Sequence, residues 1–220
     1  MNALTDLDNF FTASSLMILT NSLRDKRWCV LDDFFSIELV NSLMNEANSL
    51  PDVVLQQAGV GRKLSHQVKL DTRRDCIFWI DGDTQARRDF LIVMGALKII
   101  LNRSLLLGLF DFEAHFARYY ENGFYDKHFD AFVGESNRVL STVLYLNDTW
   151  LSSDGGELVI FDEYDSEREL IRVLPEKGRF VVFLSESFAH QVNASKACRH
   201  SIAGWFRVNA TNGTVIDPDR

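Results

Sequence analysis

The stretch "YYENGFYDKHFDAF", residues 119–132, sets His128 and Asp130 two residues apart among aromatics. In an extended strand, residues i and i+2 point to the same side, so an imidazole and a carboxylate would stand together on one face. Taken alone, the pair reads as readily as a surface histidine beside Asp130 or Asp126. A third ligand type follows in "SFAHQVNAS", where His190 comes just after the apolar run "RFVVFL" and a later strand could bring it across. Two histidines and one carboxylate on one side of a metal leave coordination positions open, a donor set that suits non-haem Fe(II) oxygen chemistry. His115, His66 and His200 are read as structural or surface histidines.

The residues after His190 favour the metal reading. Arg199 follows by nine positions and Ser201 by two more, ahead of "AGWFR", so an Arg and a Ser would share one face of the next strand. A guanidinium makes two parallel charge-assisted hydrogen bonds to a carboxylate, which a lysine cannot do. Lys196 is the nearest competing cation and falls in a turn. An iron site beside a carboxylate clamp implies an α-keto acid cosubstrate.

Positioning these groups requires several short strands. From Phe112 onward the chain reads as seven runs rich in Val, Ile, Leu, Phe and Tyr: "FEAHFARYY", "RVLSTVLYLN", "ELVIF", "LIRVL", "RFVVFL", "HQVNA" and "RHSIAGWFRV". Turn residues lie between several of them, which predicts a β-sandwich or flattened barrel. Helical signals lie in the first half, over 8–25, from Ser36 to Pro51, and from Asp83-Thr84 through Leu101. These predict supports for a sheet, and the fold class is α+β. Residues 53–72, with Gly59 and Gly61, predict a hairpin or finger loop. The whole of 1–220 reads as one domain, with 1–110 mainly helical support plus that finger and 111–209 the β core.

The bulk properties narrow the setting. Lys+Arg 23 against Asp+Glu 31 gives a net charge of −8 without a basic stripe, which argues against nucleic acid as a partner. The first residues carry acids where a secretory signal would carry bases, and the apolar stretch 90–110 is interrupted by Lys98, Asn102 and Arg103. No membrane partner is expected, and a cytoplasmic location is. Cys29, Cys76 and Cys198 are odd in number and widely spaced, giving neither a disulfide framework nor a zinc-type pair.

Several ordered motifs, "RRDCIFWIDG", "ARYYENGFYDKHFD", "VLYLND", "DGGELVIF" and His190 with Arg199 and "GWF", together resemble the iron(II)- and 2-oxoglutarate-dependent dioxygenases. Within them the chain is similar to the prolyl 4-hydroxylase family, including the oxygen-sensing, hypoxia-inducible factor type enzymes and their bacterial relatives. The resemblance implies a double-stranded β-helix, or jelly-roll, core with supporting N-terminal helices. It implies Fe(II) held by His128, Asp130 and His190, and 2-oxoglutarate held by Arg199 with Ser201, Tyr119 and Tyr145, with Trp205 walling the pocket. O2 is the co-reactant, and ascorbate enters as a reductant. Arg73, Asp75, Trp79 and Arg138 are the implied substrate contacts; Arg73 and Asp75 read either as a brace for the preceding loop or as an ordinary exposed ion pair. The expected substrate is a prolyl residue in a protein, with elongation factor Tu as a candidate. The rivals are hydroxylation of a free amino acid or other small molecule, and a non-catalytic metal- or sugar-binding β-barrel.

Overall fold

In a computed structural model, the described residues are 10–58, 71–131 and 136–209. Most of the expected finger, including Gly59 and Gly61, and His66 lie outside them. Three helices come from the first half. Thr12 caps α1 (Ala13–Asp25) by accepting from the Ser15 N–H, and Ser36 caps α2 (Ile37–Ser49) by accepting from Leu39 N–H. Thr84 does the same for α3 (Gln85–Leu105), so all three start where a hydroxyl can take an orphan amide. The first helix begins later than the periodicity of residues 8–25 predicts, at the Thr12 cap. No helix among the described residues is long and apolar enough to cross a membrane.

Among the described residues, eleven strands form two sheets. The strands are β1 (Trp28–Leu31), β2 (Gln56–Gln57), β3 (Cys76–Trp79), β4 (Asp111–Tyr119), β5 (Tyr125–His128), β6 (Arg138–Tyr145), β7 (Leu158–Phe161), β8 (Glu169–Val173), β9 (Phe180–Leu184), β10 (His190–Val192) and β11 (Arg199–Arg207). The larger sheet runs β1-β9-β6-β11-β4-β3-β2 and the smaller β5-β10-β7-β8, with antiparallel pairing throughout. Two antiparallel sheets closing on each other form the double-stranded β-helix, and all seven runs read from the sequence are strands in it.

Alternation along the central strands divides the interior into two cores. Phe116, Leu140, Leu144, Val182, Ile202 and Phe206 pack against the helices with Phe90, Met94 and Leu97 of α3. Their neighbours Tyr119, Tyr145, Val181 and Phe183 face the smaller sheet with Leu158, Ile160 and Val192. Gly204 is required on the helix side, because a Cβ there would stand 2.5 Å from the Phe112 ring. Arg118 anchors the end of α2: its guanidinium donates to the Ala47 carbonyl at 2.7 Å, the Leu50 carbonyl at 2.9 Å and Asp52 at 2.8 Å. Two carbonyls left open where α2 ends, and the Asp52 carboxylate beyond it, are thereby fixed to β4.

Candidate active site

The register of the smaller sheet places the metal candidates. In the β10–β5 pair His190 lies directly opposite His128, with a bulge before Val192 meets Tyr125. Strand β5 ends at His128, so Asp130 is carried by the turn that follows rather than by the strand itself. Its carboxylate nevertheless lies between the rings, Oδ1 3.7 Å from His128 Nε2 and Oδ2 3.4 Å from His190 Nε2. One ligand atom from each of the three residues falls within 4.8 Å of the others. Metal bonds of about 2.0–2.2 Å put neighbouring ligand atoms roughly 3 Å apart, so these separations suit one ion with open positions on its other side.

Each ligand is oriented by a second group. The Nδ1 of His128 donates to the Asp126 carbonyl at 2.7 Å, and that of His190 to the Phe188 carbonyl at 3.2 Å, which leaves both Nε2 lone pairs facing the carboxylate. Ser141 donates to Asp130 Oδ2 at 2.7 Å and is itself 2.9 Å from the Ser185 hydroxyl. Tyr125 stacks on the His128 ring at 3.5 Å. Burial pushes the Asp130 carboxyl upward, but His190 and His128 hold it well below the usual carboxylate range. Burial, reinforced by His128, takes the His190 imidazolium down to about 4. Near neutral pH the site therefore offers an ionised carboxylate and neutral His190, a donor set ready for a dication.

The arginine expected to clamp a carboxylate lies on the facing sheet. Arg199 is 2% exposed at the start of β11, opposite Tyr119 of β4, while Ser201 lies opposite Tyr145 of β6. Its Nε donates to the Gly156 carbonyl at 3.0 Å and its Nη1 to Ser201 Oγ at 3.2 Å; no bond among the described residues takes Nη2. The guanidinium lies 4.9 Å from the Tyr119 ring and 5.0 Å from the Tyr145 ring. The Tyr145 hydroxyl is buried with no hydrogen-bond partner among the described residues. Such an orphan beside a buried cation fits an anionic oxygen of a bound molecule, since a polar group left without a partner is costly. Burial raises the Tyr145 and Tyr119 hydroxyl pKa values, so both are donors rather than phenolates.

The remaining sequence candidates line the same interior. Arg73 grips Asp75 through two bonds, Nε to Oδ1 at 2.6 Å and Nη2 to Oδ2 at 2.9 Å. Asp75 is 0% exposed, so this is a buried brace and not an exposed ion pair. Its guanidinium also covers the Tyr125 ring at 4.5 Å, which links the brace to His128 through Tyr125. Arg138 stacks on Trp205 at 3.5 Å and is held by Glu113. Arg138 and Trp205 are thus held together by a cation–ring contact, while Trp79 is 45% exposed at the end of β3.

Tyr125, Ser141, Ser185 and Gly156 were not legible as site residues. Ser141 and Ser185 carry a signal in retrospect, a small hydroxyl at or beside the end of an apolar run where Val would pack better. Gly156 has φ +71°, and a Cβ there would meet Ser195 Cβ at 2.9 Å, Trp150 at 3.0 Å and Arg199 Cδ at 3.3 Å. It is the glycine that lets the backbone carbonyl approach Arg199.

A facial metal site facing a buried arginine inside a double-stranded β-helix defines an iron-dependent oxygenase that takes a keto acid. Residues 114–207 match the family model of the 2OG-Fe(II) oxygenase superfamily. A Pseudomonas putida prolyl-4-hydroxylase is 36% identical, aligning over 87% of this chain and 98% of its own with a TM-score of 0.78. A Trichoplax adhaerens prolyl hydroxylase, solved with a hypoxia inducible factor oxygen degradation domain peptide fragment, shares the fold at 19% identity, 93% and 91% coverage and TM-score 0.76. A prolyl 4-hydroxylase from Phytophthora capsici shares it at 22% identity, 94% and 66% coverage and TM-score 0.67. The chain belongs to the 2OG-Fe(II) oxygenase superfamily and is a 2-oxoglutarate-dependent dioxygenase, a family that uses Fe(II), 2-oxoglutarate and O2.

Proposed function

We propose that the protein hydroxylates a prolyl residue within a protein substrate, with elongation factor Tu as a candidate, in the cytoplasm and with ascorbate as a supporting reductant. The observation that carries this reading is the likeness over 87% of the chain to the Pseudomonas putida prolyl-4-hydroxylase, combined with the grouping of His128, Asp130 and His190 that could hold a metal. His128, Asp130 and His190 would hold Fe(II); Arg199, Ser201, Tyr119 and Tyr145 would hold 2-oxoglutarate. When bound, these groups supply oxidative decarboxylation: O2 is consumed, 2-oxoglutarate leaves as succinate and CO2, and a substrate C–H becomes C–OH.

The chain's own residues do the placing. Arg199 and the Tyr145 hydroxyl, buried inside the barrel, would hold a carboxylate of the cosubstrate. Ser141 and Ser185 hold Asp130 in one rotamer. Phe183, buried with its ring 4.8 Å from that of His190, packs the His190 imidazole from the core side. Arg73, Asp75 and Tyr125 brace the His128 flank, and Trp79 and Trp205 offer ring faces suited to a proline ring.

The test is to incubate the Fe(II)-loaded enzyme with 2-oxoglutarate and a cell lysate and locate peptides that gain one oxygen atom. The expected result is a proline-containing peptide modified only when 2-oxoglutarate is present. Coupled turnover with a free amino acid alone would replace this reading with the small-molecule one.

A further inference from the structure

His115 is 2% exposed on the side of β4 that looks toward the smaller sheet. In register it stands between Trp79 of β3 and Ala203 of β11, on the face of β4 that also carries Tyr119, Ala117 and Glu113. The edge of the Trp79 ring meets it at 5.2 Å, and Trp205 tilts against it at 5.4 Å. Trp205 lies opposite Ser141, the residue that holds Asp130, so this box adjoins the metal rank of the sheet. At its edge, β2 pairs with Cys76 and Ile77 among the described residues, and Trp79 beyond them is 45% exposed.

The ring has a definite polarity. Its Nδ1 is 3.2 Å from the Phe116 carbonyl and donates to it, which assigns the lone pair to Nε2. No other hydrogen bond engages the ring among the described residues. Burial, with Arg73 adding to it, takes the imidazolium down to about 4, so the ring is neutral near pH 7. The two nearby cations are each engaged by a carboxylate, Arg73 by Asp75 and Arg138 by Glu113. The indole N–H of Trp205 is likewise buried with no partner among the described residues. An apolar core position would be filled more cheaply by Leu or Phe, because burying a polar ring has a cost that one backbone hydrogen bond only partly offsets.

We infer that His115 is a specificity-determining residue that accepts, at Nε2, the backbone N–H of the residue following the target proline. The inference rests on the prolyl-protein reading above and deepens it. A proline offers no N–H of its own, so the next donor along a peptide is that of the following residue. A free amino acid presents a carboxylate at that place, and its oxygens would face the imidazole lone pair with no proton between them. His115 thus selects a continuing chain over a free amino acid.

The experiment uses a proline-containing peptide that the wild-type enzyme hydroxylates, and the same peptide N-methylated at the residue after the proline. Binding is followed by the tryptophan fluorescence of the protein, for wild type, His115→Phe and His115→Gln, beside the KM for 2-oxoglutarate. Loss of one neutral hydrogen bond predicts wild-type binding about three- to tenfold weaker for the N-methylated peptide. His115→Phe, which keeps the ring but not the acceptor, should bind both peptides at the weaker level, and the Gln carbonyl should restore part of the difference. The 15N signal of His115 Nε2 in the wild-type protein should shift when the unmodified peptide is added, a readout independent of any variant's folding. If His115→Phe still distinguishes the two peptides as wild type does, or the 15N signal stays in place, the inference is overturned. Failure of the parent reading would look different, since the wild-type enzyme would then hydroxylate no prolyl peptide at all.

Discussion

At the scale of single residues, the site divides its work between ligands and the groups that orient them. Ser141 touches no metal but donates to Asp130 at 2.7 Å. Removing such a support typically weakens metal affinity by about 10- to 100-fold. Ser141→Ala should therefore lower metal affinity within that range while the 2-oxoglutarate KM at saturating Fe(II) changes little, as titration calorimetry and steady-state kinetics would show. Arg199→Lys keeps the charge and loses the fork that reaches Gly156 and Ser201 together and that, on the proposed reading, would also hold the cosubstrate. Losing one charge-assisted bond of about 1.5–3 kcal/mol predicts a KM for 2-oxoglutarate raised about tenfold or more, and an unchanged KM would place the clamp elsewhere. The grouping of His128, Asp130 and His190 was readable because the His-x-Asp spacing and the run into β10 are local facts, even though Asp130 lies in the turn after β5 and not in the strand. The orienting serines and Tyr125 were not, because their roles arise only when β5, β6, β9 and β10 come together.

At the scale of elements, the arrangement depends on turns that permit close approach. Gly156 precedes β7 by one residue and sits against Ser195, Trp150 and Arg199. Gly156→Ala combines a left-handed φ with those contacts, and strain of this kind costs about 1–3 kcal/mol. The variant should melt at lower temperature and, because the displaced carbonyl is the acceptor for Arg199 Nε, show a raised 2-oxoglutarate KM. A melting point and KM equal to wild type would show that the turn relaxes without moving the clamp. Sequence periodicity located the three helices and seven strands well, since capping hydroxyls and apolar alternation are carried in the chain itself. It did not show β1 or β2 as strands. β2 spans two exposed residues, and β1 is a short edge whose partner, β9, lies about 150 residues later.

At the scale of the molecule, buried histidines outside the metal set make stability depend on pH. His115 and His200 are both lowered to about 4, mainly by burial, the first further by Arg73 and the second further by Arg118. The unfolded chain takes up these protons near 6.5 and the native protein only near 4, so the unfolded state binds more protons between those values. Stability of the metal-free protein should therefore fall as pH drops from about 6.5 toward 4. Denaturant midpoints across that window measure it, and His115→Phe should flatten the slope if it folds as wild type does. A midpoint that rises on acidification would contradict the burial of these rings. The two-core division behind this burial was foreshadowed by strand alternation; which histidines it would enclose was not, and His115 and His200 read from the sequence as structural or surface residues.

The central claim is that His128, Asp130 and His190 form one metal site. Anaerobic calorimetric titration of Fe(II) into wild type and Asp130→Ala tests it directly. One equivalent bound by wild type, with binding abolished in a variant that keeps the wild-type circular dichroism spectrum, is the predicted result. Stoichiometric Fe(II) binding of undiminished affinity by a folded Asp130→Ala variant would contradict it.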